Sequence, residues 1–248
     1  MTEPVSLSFY ATPPHPCNYL EGREAVTVFA DPRARMSKEL YSHLIQFGYR
    51  RSGRHIYTQH CPNCDRCRSL RVPVEDFAPD RSQRRTWRRN QDLEIHDLPA
   101  SFSEEHFRLY RRYIENRHAG GGMDEMDAEQ YRDFLIAPWC DTRFVEFRLQ
   151  GELISVAVVD RVEDGLSAVY TFFDPARDKR GLGTQAVLWQ IEAARQQGLA
   201  HVYLGYWIEE SAKMAYKARF HPHEIFVHGQ WVKSGKWGYH FTLANNRL

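Results

Sequence analysis

Between Phe144 and Phe173 three apolar-rich runs follow one another with almost nothing between them: FVEFRL, ELISVAVVDRV and LSAVYTFF. Gly151 separates the first two and Asp164-Gly165 the last two, so the segment reads as three strands joined in a meander. The pattern then changes period. A helix is predicted from about Leu182 to Gln197, closed by Gly198, and HVYLGYW resumes as a strand. A further helix over about Ser211 to Arg219 leads to a last strand near Glu224 to His228. The order βββαβαβ implies a mixed β-sheet flanked by helices, an α+β architecture.

Upstream of the meander the signals are helical. Ser37 to Phe47 places Leu40, Leu44 and Phe47 on one face and stops at Gly48; Ser103 to about Asn116 repeats the pattern with Phe107, Tyr110 and Ile114. Gly120, Gly121 and Gly122 break that helix, and a short one over about Asp127 to Leu135 precedes Pro138. The division expected is an N-terminal Cys- and Arg-rich region over residues 1–100 and the mixed-sheet domain over 101–248. No stretch reaches the 18 apolar residues of a membrane-spanning helix, and the first twenty residues lack the pattern of a secretory signal. A soluble cytoplasmic protein with no membrane partner is expected.

The formal net charge of +1 hides an uneven distribution. From Arg50 to Asn90 eleven arginines face four acidic residues, a local charge of +7 that leaves −6 for the remainder. Asymmetry of this kind marks a surface for a polyanion. Within the block, Arg81, Arg84, Arg85 and Arg88 recur at i, i+3, i+4 and i+7, one face of a helix, with Arg89 beside them. Guanidinium groups suit phosphate because they donate two parallel hydrogen bonds, and such contacts bind strongly with little sequence reading.

Cys61, Cys64 and Cys67 form a C-x-x-C-x-x-C run. Two-residue spacers allow thiolates to converge on a soft metal, so zinc or an iron-sulfur cluster is expected, with Cys17 as remote fourth ligand and His15 or His60 as alternatives. Free or redox-active thiols are the other reading of the same run. Cys140, isolated after Pro138 and Trp139, reads as a small buried hydrophobe.

Four segments, PHPCNYL, RSGRHIYTQHCPNCDRCRSLRVPVEDFAPDRSQRRTWRRN, YTFFDPARDKRGLG and YLGYWIEESAKMAYKARFHP, resemble in order the signatures of the aminoacyl-tRNA-protein transferases of the N-degron pathway. The resemblance runs from about Cys17 to Phe226. It is nearest to the bacterial branch, because Pro14 stands where eukaryotic arginine-transferring members carry the first cysteine of a C-x-x-C. The likeness implies an acetyltransferase-like carboxy-terminal fold and a transfer of leucine from leucyl-tRNA to proteins with N-terminal Asp or Glu. It implies no need for ATP, since the aminoacyl ester is already activated. Arginine as donor, a coenzyme A-dependent N-acyltransferase and a non-catalytic metal-knuckle RNA-binding protein are the alternatives. Against coenzyme A, Gly181 and Gly183 fit a pyrophosphate loop but Asp178 stands where Gln or Arg belongs.

The implied reaction sets tasks for particular residues. An acidic acceptor residue needs a cation, for which Arg50, Arg51, Arg71, Lys213 and Lys217 are candidates. The tRNA acceptor arm needs phosphate contacts, expected from Arg84, Arg85, Arg88 and Arg89. Tyr170, Phe172, Tyr206 and Trp207, at strand ends, can wall an apolar pocket for leucine, although aromatic residues also fill strand cores. Asp174, after the strand in TFFDP, and Tyr170 are the candidates for proton handling. The acceptor amine has an ordinary pKa of about 7.7–8.0, so a strong general base is not obligatory.

Overall fold

The computed structural model describes residues 6–117 and 126–234. In chain order it begins with strands β1 (Phe9–Ala11), β2 (His15–Pro16), β3 (Glu24–Ala25) and β4 (Thr27–Ala30). Helix α1 (Lys38–Gln46), β5 (Arg50–Ser52), β6 (His55–Gln59) and β7 (Arg68–Pro73) follow. Then come α2 (Arg81–Arg89), β8 (Glu94–Pro99), α3 (Glu104–Arg117) and α4 (Ala128–Leu135). The expected meander is β9 (Asp141–Leu149), β10 (Glu152–Val162) and β11 (Gly165–Phe173), and α5 (Leu182–Gln196) carries the chain to β12 (His201–Trp207). A hairpin of β13 (Glu224–Val227) and β14 (Gln230–Lys233) ends the described fold.

The main sheet has eight strands in the order β14-β13-β7-β12-β11-β10-β9-β8. All its neighbours are antiparallel except β11 and β12, whose parallel pairing requires the crossover that α5 supplies. Strand β10 is buried along nearly its whole length, as its continuous apolar run requires. Helices α3 and α5 pack Leu109, Tyr110, Ile114, Leu182, Ala186 and Ile191 into the main core. A second sheet, β1-β4-β6-β5, lies with α1 over a smaller apolar cluster in which Tyr41, Ile45 and Ile56 meet Val162 of β10 and Tyr203 of β12.

Local signals set the helix starts. Ser37 caps α1 by accepting from Leu40 N, and Asp127 and Asp80 form capping boxes with Gln130 and Gln83 on α4 and α2. One expectation is corrected. Ser211 to Arg219 is not an α-helix but a run of turns ending in a 3-10 segment, Ala215–Arg219, with no side-chain cap at Met214. The approaching Pro222 disfavours continuation of a helix through His221. Strand β7, drawn from the Cys- and Arg-rich first hundred residues, sits inside the main sheet between β13 and β12, and β8 forms its edge. A division at residue 100 therefore runs through the sheet. The Gly120 to Gly122 break lies outside the described residues, as does the tail after Ser234.

Candidate active site between two parting strands

Strands β11 and β12 pair only over Gly165 to Ser167 and His201 to Tyr203. Beyond that point they are no longer joined to each other. The register of β12 against β7 shifts between Tyr203 and Gly205, and Gly205 has φ +81°, a bulge that turns β12 out of line with β11. The stretch of β11 from Ala168 to Thr171 is half-buried.

Two cations close this opening. Arg50, at the start of β5, donates from Nη2 to Ala168 O at 3.1 Å, and its guanidinium lies 3.4 Å from where a Cβ on Gly205 would be. A glycine inside a strand pattern signals such a bulge or close approach, and Gly205 is the site residue that the sequence reading missed. Lys217, turned inward by the 3-10 segment, donates from Nζ to Tyr206 O at 2.6 Å. Both cations are more than nine-tenths buried. Burial, and secondarily the charge of Arg50, pulls the Lys217 ammonium down to about 7. The Tyr206 hydroxyl donates to Tyr57 O at 3.5 Å, and burial pushes its phenol well above the ordinary value.

The other three acceptor candidates lie elsewhere. Arg51 is fully buried against Asp160 of β10, with Nε to Oδ2 at 2.5 Å. Arg71 is paired with Glu224 at 2.7 Å and its guanidinium stands 4.3 Å from the centre of the Trp231 ring. Lys213 is exposed on the turn before the 3-10 segment. Of the three buried Lys or Arg side chains among the described residues, Arg50 and Lys217 have no carboxylate partner.

Tyr170 lies two residues beyond Ala168 on β11. Its ring packs against Phe134, Tyr110 and Tyr113 at centroid distances of 5.3, 6.2 and 6.3 Å. Its hydroxyl is buried with no hydrogen-bond partner among the described residues, and burial with the two neighbouring tyrosines raises its pKa far above the ordinary range. Phe172 and Trp207, by contrast, belong to the packed core. Asp174 caps the 3-10 segment Pro175–Arg180, accepting from Ala176 N at 3.0 Å with Arg177 Nε 3.8 Å away, a turn-forming use of the carboxylate.

The arginine face is a helix as the spacing predicts. Arg81, Arg84, Arg85, Arg88 and Arg89 are all exposed, while Gln83 is buried and donates to Arg219 O at 3.1 Å. Arg89 donates to Lys179 O, and with Lys179 and Arg180 it lines a basic hollow beside Gly181, where α5 begins. Lys179 and Arg180 thus extend the patch, although Arg180 is tied to Asp92 at 2.9 Å. Asp178, at the same corner, accepts from Arg117 at 3.0 Å.

Cys17, Cys61, Cys64 and Cys67 all line one cavity of about 380 Å³ together with Tyr19, Arg23, Tyr57 and Gln59. Each of three sulfurs accepts from a protein N–H: Cys17 from Tyr19 N at 3.5 Å, Cys61 from Val26 N at 3.4 Å and Cys64 from Arg23 Nη1 at 3.5 Å. Burial and then the three neighbouring thiols push Cys67 up to about 12. Four sulfurs suit a soft ion chemically. Yet no group of three or more His, Cys, Asp or Glu among the described residues is arranged to hold a metal, with His15 and His60 included. The expectation of zinc or an iron-sulfur cluster therefore finds no support in the arrangement of the described residues.

Among the described residues no helix is long and apolar enough to cross a membrane. Family models described as arginine-tRNA-protein transferase match at residues 15–85 for the N terminus and 105–227 for the C terminus. A Marinobacter nauticus protein named aspartate/glutamate leucyltransferase is 52% identical over 226 residues, 91% of this chain and 95% of that one. Proteins of the same name from Teredinibacter turnerae and Hahella chejuensis are 50% and 49% identical, covering 94% and 92% of this chain and 96% and 97% of theirs. With both halves matched and the likeness running nearly end to end, the chain belongs to the arginine-tRNA-protein transferase family.

Proposed function

We propose that the protein transfers leucine from leucyl-tRNA to the α-amine of proteins beginning with Asp or Glu, a modification that in this family marks the acceptor for degradation. Identity near 50% over more than nine-tenths of the chain to proteins named for this activity is the observation that carries the reading. The acceptor amine attacks the ester carbonyl, the new amide bond forms, and the ester bond to the tRNA ribose breaks. The amine gives up one proton and the departing ribose oxygen takes one up, so no ATP is consumed.

Positioning is the main demand on such a site. Aligned reactants in model reactions gain up to about 7–11 kcal/mol, and the free amine is already partly neutral near pH 7. The exposed arginines of α2, with Lys179, hold acceptor-arm phosphates, and the opening between β11 and β12 receives the ester and the amine. The Tyr170 hydroxyl supplies a hydrogen bond to the reacting centre, which would explain a buried polar atom left without a partner among the described residues. Asp174 is bound up in its turn and is not assigned proton transfer. Since the donor is leucyl-tRNA, the place of action is the cytoplasm.

The test pairs labelled leucyl-tRNA and arginyl-tRNA with peptides that differ only in Asp, Glu or Ala at the first position. Leucine incorporation into the Asp and Glu peptides is expected. Incorporation of arginine in preference to leucine, or turnover of acetyl coenzyme A instead, overturns the reading.

A further inference from the structure

The strongest unexplained feature of the interior is a pair of buried cations. Charged side chains are almost never fully buried unless paired, because removing a charge from water costs several kcal/mol. Arg51, the next residue along β5, obeys the rule through Asp160. Among the described residues its neighbour Arg50 has no carboxylate partner, and neither has Lys217; Arg50 donates to Ala168 O, and Lys217 donates to Tyr206 O and, at 3.4 Å, to Met214 Sδ. Two like charges near enough to disfavour one another make the site more costly still.

The arrangement around them is built for the purpose. Arg50 reaches across from the small sheet and lies over Gly205, its guanidinium 3.4 Å from where a Cβ would stand, at the bulge that the positive φ of Gly205 makes. Lys217 is brought in by a tight 3-10 segment that follows β12. The carbonyls they occupy belong to the two strands that stop pairing just before this point. Arg50 retains donors beyond the one given to Ala168 O, and the Lys217 ammonium retains one of its three beyond those given to Tyr206 O and Met214 Sδ.

On the reading that the acceptor begins with Asp or Glu, we infer that Arg50 and Lys217 together form the recognition site for the acceptor's side-chain carboxylate. One carboxylate offers two oxygens and about four acceptor positions, enough for both cations, and supplies the countercharge that the described residues lack there. Ala168 and Tyr170 are separated by about 7 Å along β11, so an acidic residue held at Arg50 lies beside the stretch of strand that carries Tyr170. Arg71 and Lys213 are excluded from the role by the Glu224 pairing and by exposure.

The experiment compares kcat/KM for two peptides that differ only in Asp versus Asn at the first position. It uses the full chain and the variants Lys217→Met, Lys217→Arg and Arg50→Gln, with leucyl-tRNA affinity measured in parallel. Loss of one charge-assisted bond corresponds to about 10- to 100-fold. The Asp-over-Asn preference is expected to fall by that factor in Lys217→Met and Arg50→Gln, through KM for the Asp peptide, with kcat changed less. Lys217→Arg restores part of the preference. An unchanged Asp-to-Asn ratio overturns the inference, as does a loss confined to leucyl-tRNA affinity, which would give these cations to the RNA. Absence of transfer to any peptide by the unaltered protein refutes the parent reading instead. A measurement without substitutions guards against misfolding: the Nζ resonance of Lys217 is followed against pH with saturating Asp or Asn peptide. An upward pKa shift with Asp alone is expected, and equal behaviour with both peptides overturns the site.

Discussion

Arg51 and Asp160 join the two sheets through a fully buried bidentate pair, Nη2 to Oδ1 at 2.6 Å and Nε to Oδ2 at 2.5 Å. The guanidinium also donates to Gly53 O and Leu135 O, and the Thr142 hydroxyl donates to Asp160, so every partner of the pair is engaged. Burial opposes the charge on Arg51, and the Asp160 carboxylate outweighs it and holds the guanidinium pKa raised. Removing one member strands the other: Arg51→Met is expected to cost about 3–5 kcal/mol. Urea unfolding at pH 7 checks this, and a destabilisation below about 1 kcal/mol would show that the pair is not fully desolvated.

For the arginine helix the expected effect is on affinity rather than stability. Arg84, Arg85, Arg88 and Arg89 are exposed and the cap of α2 rests on Asp80 and Gln83, so Arg85→Ala and Arg88→Ala leave the fold intact. Removing one phosphate-binding guanidinium should make the plot of log K against log salt shallower by about 0.7–1. Filter binding of leucyl-tRNA over a series of salt concentrations measures it. A parallel displacement with no change of slope would place the phosphates elsewhere.

How far the chain can be read without its fold depends on the range of the interactions involved. The meander β9-β10-β11 and helix α5 are legible because period and turn residues are local, and Ser37 and Asp127 mark helix starts by bonds within three residues. Strand β7 is not, since RSLRVP has a mixed pattern and is a strand only because β12 and β13 flank it. The arginines of α2 stand out by spacing alone. The acceptor cations can be sorted only with their partners in view: Asp160 and Glu224 lie 109 and 153 residues from Arg51 and Arg71. Gly205 carries a signal, an isolated glycine in a strand, but its meaning depends on the distant Arg50.

Tyr170→Phe separates catalysis from packing. The ring remains against Phe134 and Tyr113, and the atom removed is one that makes no hydrogen bond among the described residues. Stability should be unchanged or rise by about 1 kcal/mol, the penalty of an unsatisfied hydroxyl being relieved. The value of kcat is expected to fall by about tenfold or more if the hydroxyl contacts the reacting centre. Single-turnover leucine transfer reads this; full activity in the variant would leave the hydroxyl without a part in the reaction.

The thiols of the cysteine cavity should differ in reactivity. Because the thiolate is the nucleophile, Cys67 at about 12 exposes only about one part in ten thousand at pH 8. Alkylation by iodoacetamide, mapped by peptide mass, is expected to be at least about a hundredfold slower at Cys67 in the folded protein than in urea. Equal rates in the two states would mean that the Cys67 side chain is neither buried nor surrounded as described.

Lys217 gives the protein a pH dependence of unusual sign. Its ammonium lies near 7 in the folded state against an ordinary value of 10.5, because burial and the Arg50 charge disfavour the proton. Below about pH 7 both folded and unfolded chains carry that proton, and stability does not respond to this group. From about pH 7 to 10.5 the unfolded chain keeps a proton that the folded chain has released, so stability rises with pH. Lys217→Met removes this contribution. Between about pH 6 and pH 9 the unaltered protein should therefore gain on the order of 2 kcal/mol relative to the variant. Urea unfolding of both proteins across that range measures the difference, and curves that stay parallel would place Lys217 in contact with water or with a carboxylate. A saturating Asp-initiated peptide should flatten the dependence in the unaltered protein, because a bound carboxylate returns the ammonium towards its ordinary pKa.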